Sequence, residues 1–512
     1  MKNIVIVGGG ISGMIASINL KKRAPQYNII LIEKEKQLGG RLYQEKKNGN
    51  VINNGPSWYW MDDIINDIFN KIGIDKTFNL MKPKFQYKII FDDKTHINIP
   101  NNINQLRTII YNLDPSCMKK YDTFMENNRL KYELCKTKFL NYNNLSITEY
   151  FSLQLPYYIY KLDLLSSYKS IINSISSNPK IRQLLEWPSL FIGSNPNSIS
   201  GLFTFLTYTM IAHGTHIPSK KGMIELIECL ENHIHKLNIK VITNNALKSI
   251  DYNNNIISSI TLQDNKTLFV DKVICAFDYY HMEQLLPYTL QSYPELYWKK
   301  QKMCPSSFIF NIILNIKLPQ LIYHNLFFDG EFDTIKNPLF YLNITSKFFN
   351  EVPDNHENLF ILVPLNKDQT YNETQLLHTI LNRLNRFSKK NIKDHIVSIN
   401  TMGPNNFKSK FNAYNGNSYG LGCDGIQIGF MRPKIKSHKV ENLYYCGQLS
   451  TPGPGIPPCM VSGSLASNLL IEDLNKEKNN WDFHYYFIYM THLLTLLFTT
   501  KSFKCVWDYV LK

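Results

Sequence analysis

The chain has 512 residues, which at about 100 to 200 residues per domain allows roughly three domains around a large core. Hydrophobic residues make up 44% and charged residues 19%, with 23 Pro and 24 Gly scattered along the length, so neither a disordered nor a collagenous chain fits. The 56 Lys and Arg against 41 Asp and Glu give a net charge of +15, yet the lysines stand singly or in pairs, without the basic run or motif of a nucleic-acid protein; no nucleic-acid partner is expected.

The first element is a β-branched run, Lys2 to Val7, that stops at Gly8-Gly9-Gly10-Ile11-Ser12-Gly13 and is followed by an apolar-periodic helix from Ile11 to Ala24, ended by Pro25. The spacing is G-x-G-x-x-G after a strand and before a helix. Gly8 allows the tight turn, Gly10 lets the backbone approach a pyrophosphate, and Gly13 lets the helix pack closely on the strand. The helix N-terminus then offers free N–H groups to an anion. A second strand, Asn28 to Ile32, ends in Glu33, about 20 residues beyond the last glycine, where a carboxylate accepts from a ribose 2′-hydroxyl. NAD and FAD both satisfy this much. Gly39-Gly40-Arg41 follows at once, and Arg41 has a planar fork of donors for pyrophosphate charge.

Farther on, Lys240 to Asn244, Ile250 to Asp251, Ile256 to Leu262 and Leu268 to Ala276 alternate with Asn and Asp turns and read as one small sheet. Residues of about 100 to 215 are mostly helical by pattern, and 305 to 400 mix strands with a helix near Glu373 to Phe387. Leu443 to Cys446 reads as another strand. It opens into a Gly- and Pro-rich loop, Gly447 to Pro458, and a helix from about Cys459 to Leu470. The positive end of such a helix would stabilise negative charge on a reduced flavin.

The Gly39-Gly40-Arg41 doublet resembles the second fingerprint of the amine-oxidase-like flavoproteins. Gly55-Pro56-Ser57-Trp58-Tyr59, Gly447 to Gly463 and Gly416-Asn417-Ser418-Tyr419-Gly420-Leu421 resemble the bacterial-type phytoene desaturases, FAD-dependent carotenoid desaturases of that superfamily. Arg182 to Pro196, Tyr323 to Asp333 and Glu357 to Pro364 follow the same family in the same order, so the resemblance runs to about residue 475. It implies an α/β fold in which a Rossmann-like FAD-binding domain (1–80, 220–300 and 400–475) is interleaved with an α+β polyene substrate domain (81–219 and 301–399). It implies FAD as cofactor, held by Gly8, Gly10, Ser12, Gly13, Glu33, Gly40, Arg41, Gly55, Pro56, Ser57, Leu247, Gly447, Gly455, Ile456 and Pro457. The reaction implied is desaturation of phytoene toward lycopene-like products, by hydride transfer to flavin N5 and loss of a proton from the neighbouring carbon. An electron acceptor such as oxygen or a quinone would reoxidise the flavin.

Two departures stand out. Where the family has Pro-x-Gly-Gly-Met, this chain has Pro218-Ser219-Lys220-Lys221-Gly222-Met223, and after Leu421 the usual Asn-Thr is replaced by Gly422-Cys423-Asp424-Gly425. They leave open a related polyene oxidoreductase: a carotenoid ketolase or oxygenase, a shorter-carotenoid desaturase or a retinoid saturase. A remote alternative is a non-enzymatic isoprenoid-binding protein of the GDP-dissociation-inhibitor type. No side-chain cluster has metal-ligand spacing; His213 and His216 read as polar packing, and His324 as a core histidine or a residue near a polyene channel.

The tail, 476–512, contains 18 residues from Phe483 to Thr500 without Lys, Arg, Asp or Glu, bounded by Trp481, Lys501, Lys504 and Trp507. A membrane-surface helix, a docked core helix and a true anchor are the three readings. The nine cysteines, an odd number without a Cys-x-x-Cys pair, and the lack of an apolar leader before the first strand suggest an intracellular protein without a signal peptide. A polyene substrate would bring it to a membrane surface as a peripheral protein.

Overall fold

A computed structural model describes residues 2–47, 49–140, 143, 149, 155–192, 196–328, 338–365, 371–424 and 427–499. Five short, mostly apolar strands build an all-parallel sheet in the order Leu443–Tyr445, Lys272–Cys275, Asn3–Val7, Asn28–Ile32, Lys240–Ile242. Both faces are covered, which is why these strands are nearly continuous apolar runs. Alternate side chains separate cleanly. Ile4, Ile6, Leu31, Ile274 and Tyr444 pack beneath the helices Ile11–Arg23, Ile224–Lys236 and Ile456–Thr499. Val5, Val7, Ile30, Val273 and Tyr445 pack on the opposite face with Ile250, Ile257 and Ile260 of a three-stranded antiparallel sheet.

That smaller sheet consists of Leu247–Asn253, Ile256–Leu262 and Thr267–Phe269. The segments around Lys240 and Lys272, read from sequence as part of it, belong instead to the parallel sheet. Alternation marks a strand without naming its partner, and here the partners, Asn28–Ile32 and Asn3–Val7, lie more than 200 residues away in the chain.

A second sheet of seven strands runs in the order Ile396–Met402, Ser306–Leu314, Glu357–Leu365, Phe340–Asn343, His324–Phe327, Phe85–Ile90, His96–Pro100. All pairings are antiparallel except that of His324–Phe327 with Phe85–Ile90. Phe310, Ile312, Phe340, Leu342 and Ile361 face the helix Glu373–Ser388, whose Leu376, Ile380 and Leu384 seal that side. The neighbours of these residues in sequence, Ile309, Tyr341, Phe360 and Leu362, therefore point to the other side, where they line a cavity.

Trp187–Ile192 and Phe205–Ala212 contribute to the wall of that cavity, and the helical segments before them have clear start signals. Asn102 caps Ile103–Leu113, Ser167 caps Tyr168–Ile175, and Asn178 with Pro179 starts Pro179–Glu186. The final helix departs from its expected bounds: it begins three residues earlier, at Ile456, and continues without a break to Thr499. The tail is thus a prolongation of the helix that follows the Gly- and Pro-rich loop, at least through residue 499. Among the described residues no helix is long and apolar enough to cross a membrane. Gly425 and the tail markers Lys501, Lys504 and Trp507 lie outside the described residues.

Candidate functional site

Between the two sheets lies a cavity of about 1040 Å³ that reaches from the glycine loops to a cluster of aromatic rings. At the first end the wall is mainly backbone. Gly8 has φ +110°, and a Cβ there would sit 2.8 Å from the Ala276 carbonyl; a Cβ on Gly13 would sit 2.0 Å from the Gly8 oxygen. Gly10 differs, since its open side faces the cavity and the nearest atom to a Cβ would be Gly40 Cα at 3.9 Å. It precedes the helix Ile11–Arg23, which has no side-chain cap and no acidic residue in its first turn. The end of this helix is a cradle for an anion, and Ser12 lines it.

Glu33 closes the strand Asn28–Ile32 and is buried. One carboxylate oxygen accepts from Gly9 N at 2.6 Å and the other from Glu35 N at 2.8 Å. Burial raises its pKa, while these backbone donors act against the shift. Each oxygen keeps a further lone pair for a hydroxyl. Beside it, Asn244 N donates to the Glu35 carbonyl and Asn245 N to the Glu33 carbonyl, which brings Leu247 to the same end of the cavity.

The second glycine pair is joined to the first, for Gly39 N donates to the Gly9 carbonyl at 2.9 Å. Arg41 follows into the cavity wall with its guanidinium carbon 5.0 Å from the Phe411 ring centre and its Nε without a hydrogen-bond partner. Burial lowers its pKa, and the Asp278 carboxylate opposes this. Asp278 caps a short helix through His281 N and also accepts from Tyr414 N, each at 3.1 Å; burial pushes its pKa up to about 6. Neither Asp278 nor Phe411 was marked by the motifs, because strand ends and a distant helix carry them to the site. The one available signal was the position of Asp278 just beyond a parallel strand, where such folds place their ligands.

Gly55 lies flat on the Arg41 backbone, where a Cβ would meet the Arg41 oxygen at 2.1 Å, and this carries Pro56 and Ser57 into the cavity wall. Gly455, Ile456 and Pro457 line the wall from the last helix. Gly13 and Gly447 lie just behind: Gly447 N donates to Ser462 Oγ at 3.0 Å and its Cα side faces Ser12 Oγ. Arg432 holds this loop from the rear. Its buried guanidinium donates to the carbonyls of Leu421, Gly422, Gln427, Gln448 and Ser450. The Gly422 departure is therefore accommodated as a carbonyl acceptor.

The other departure is accommodated too. Buried Glu225 accepts from Lys220 N at 2.7 Å and Lys221 N at 2.8 Å, stapling the lengthened turn, while both lysine side chains are exposed and Met223 lines the cavity. His213 stands 4.0 Å from Asp63, whose carboxylate already accepts from Tyr132 at 2.7 Å and Lys136 at 2.8 Å.

At the far end the wall is made of side chains. Trp58, Trp60 and Trp187 meet there, with ring centres 4.5 and 5.9 Å apart, beside Leu206, Met210 and Phe328. His324 is buried behind this wall and stacks on Trp58 at 3.7 Å with an interplanar angle of 5°. Tyr341, which sequence reasoning passed over, bridges the two: its hydroxyl lies 2.6 Å from Ser57 Oγ and 2.5 Å from His324 Nδ1.

Residues 11–471 match the family of flavin containing amine oxidoreductases. Among curated proteins, the carotenoid 3,4-desaturase of Haloarcula japonica is 26% identical over 497 residues, covering 92% of this chain and 99% of that one. The 4,4′-diapophytoene desaturase (4,4′-diaponeurosporene-forming) of Staphylococcus haemolyticus is 26% identical over 504 residues, 93% of this chain and 100% of the other. Among solved structures, putrescine oxidase bound to putrescine shares the fold with a TM-score of 0.64 at 13% identity, over 92% of this chain and 99% of that chain. The uncapped helix start, the open side of Gly10 and the unpartnered Arg41 Nε suit a dinucleotide pyrophosphate, and the α/β fold is that of FAD-binding proteins. The chain belongs to the flavin-containing amine oxidoreductase family and is an FAD-dependent oxidoreductase.

Proposed function

We propose that this enzyme desaturates a carotenoid, with phytoene as the first substrate to test. The observation that carries the reading is one continuous cavity, whose backbone-walled end suits the cofactor and whose three-tryptophan end suits a long apolar polyene. In this reading Gly8, Gly10, Ser12 and Arg41 hold the pyrophosphate, Gly13 lets the helix pack close enough to present its end to it, Glu33 holds the ribose and Leu247 the adenine. Gly40, Gly55, Pro56 and Ser57 and the segment from Gly447 through Gly455, Ile456 and Pro457 surround the flavin. Bound FAD supplies the hydride acceptor. The protein orients the chain of carbons, excludes water and disposes of a proton.

The flavin domain would comprise 1–80, 220–300 and 400–475 around the parallel sheet, and the polyene domain 81–219 and 301–399 around the seven-stranded sheet. Relatives that bear 3,4-desaturase and diapophytoene desaturase names support a polyene and leave its length and the bond attacked to experiment. A related polyene reaction is the second reading, favoured by the replaced residues at Lys220 and Gly422. A peripheral membrane contact, an intracellular location and an oxygen or quinone acceptor belong to the same proposal. Tyr160 and Leu165, 77% and 90% exposed next to Lys161, offer an apolar surface with a basic residue for an anionic bilayer.

Expression in cells that accumulate phytoene tests this directly. New visible absorption bands in the extract support desaturation, and their positions count the double bonds added. A colourless extract with FAD bound to the purified protein transfers the proposal to another polyene.

A further inference from the structure

Tyr341 stands on the strand Phe340–Asn343, in the cavity wall, with Ser57 on one side and His324 behind. Asn343 Nδ2 donates to the Tyr323 carbonyl at 2.8 Å and points at His324 Nδ1 at 3.4 Å, which makes Nδ1 the accepting nitrogen and assigns the ring proton to Nε2. The donors then run one way, from the Ser57 hydroxyl to Tyr341 and from the Tyr341 hydroxyl to His324. Nε2 is buried without a hydrogen-bond partner. Burial keeps the imidazole well below its ordinary pKa, so at rest it is neutral and a weaker base than a solvated imidazole.

Removing two hydrogens from adjacent carbons leaves a proton without a destination in an apolar cavity. The carboxylates that line the cavity, Glu33, Glu35, Glu45 and Asp278, belong to segments at its cofactor end. At the aromatic end the described lining residues carry no carboxylate, histidine or lysine, and the hydroxyl that leads to a base is that of Tyr341. We propose that Tyr341 is the proton acceptor of the desaturation, taking the substrate proton as its own hydroxyl proton passes to Nδ1 of His324, with Ser57 positioning the phenol. This rests on the polyene reading above.

One C–H bond breaks with its electron pair leaving as hydride to the flavin that this enzyme class supplies. The neighbouring C–H bond breaks with its electrons forming the new π bond, and its proton moves to the Tyr341 oxygen. The products are one C=C bond, a reduced flavin and an imidazolium at His324. A weak base suffices because a carbon next to one losing hydride is strongly acidic.

The test is single-turnover flavin reduction in the FAD-loaded protein with a polyene that the wild type oxidises, using Y341F, H324Q and S57A. Tryptophan fluorescence quenching by the polyene reports binding separately. The expected result for Y341F is unchanged quenching, flavin reduction slower by at least 100-fold, and a larger kinetic isotope effect when the proton-losing carbon carries deuterium. Y341F/H324Q should be no slower than Y341F alone. Flavin reduction by Y341F at the wild-type rate, or an unchanged isotope effect, overturns the assignment. If Y341F does not load FAD, S57A decides: a rate loss of about tenfold with the same isotope change supports the chain, and wild-type behaviour overturns it. Failure of the wild type itself to reduce its flavin with any polyene would instead sink the polyene reading.

Discussion

The two ends of the cavity are built by different means. At the cofactor end the wall is main chain brought close by glycines, so a single Cβ on Gly8, Gly13 or Gly55 would drive into a backbone atom. At the aromatic end the wall is made of large side chains, Trp58, Trp60, Trp187 and Tyr341, projecting from three segments of the chain. Backbone donors and a helix terminus recognise phosphate in the same way whatever the substrate. Side chains can be exchanged one by one, which suits a wall that has to discriminate among ligands.

Substitutions at the two ends should differ in what they abolish. The largest effect is expected for Gly13→Val, since its side chain would enter space held by the Gly8 carbonyl; FAD and the folded state should both be lost, measured by flavin absorbance and circular dichroism. Gly10→Val projects into open space and should yield folded protein with its far-ultraviolet spectrum intact and no flavin. Leu206→Trp at the other end should retain FAD while polyene turnover falls at least tenfold, about 1.4 kcal/mol of barrier, measured by product chromatography. Arg41→Lys keeps the charge and loses the planar fork, and a loss of about 1 to 2 kcal/mol in FAD affinity is expected by titration of the flavin-free protein.

A pH-dependent effect comes from Asp278. Its folded pKa, pushed up to about 6 by burial, lies above the value near 3.8 of an unfolded aspartate, so the folded state binds the proton more tightly. The buried charge therefore costs stability above pH 6, and the cost disappears as the pH falls from about 6 to about 4. Relative to Asp278→Asn, the flavin-free wild type should gain up to about 3 kcal/mol across that window in denaturant titrations. A pH-independent difference would remove Asp278 as the source.

The gathering of residues at the glycine-walled end was legible because its determinants are local: the G-x-G-x-x-G turn, Glu33 at the following strand end and the Gly39-Gly40-Arg41 doublet lie within the first 41 residues. The start of the last helix was legible to within three residues because Pro457 and Pro458 suit a first turn. What was missed depends on distant pairing. Lys240–Ile242 and Lys272–Cys275 alternate like any strand, and only packing shows that they extend the parallel sheet. Tyr341 carried no motif; its meeting with Ser57 requires the strand Phe340–Asn343 to arrive from 284 residues away. His324 was noticed, while its stacking on Trp58 was not foreseeable from a residue 266 positions earlier, since nothing local encodes it.

Whether one cavity joins flavin to polyene is answered by an anaerobic titration of the FAD-loaded enzyme with phytoene, following tryptophan emission and flavin absorbance together. Quenching of the three-tryptophan cluster and bleaching of the flavin at the same polyene concentration, with a more conjugated product, is the expected result. Bleaching by an amine with no response to phytoene or any longer or shorter carotenoid would contradict it.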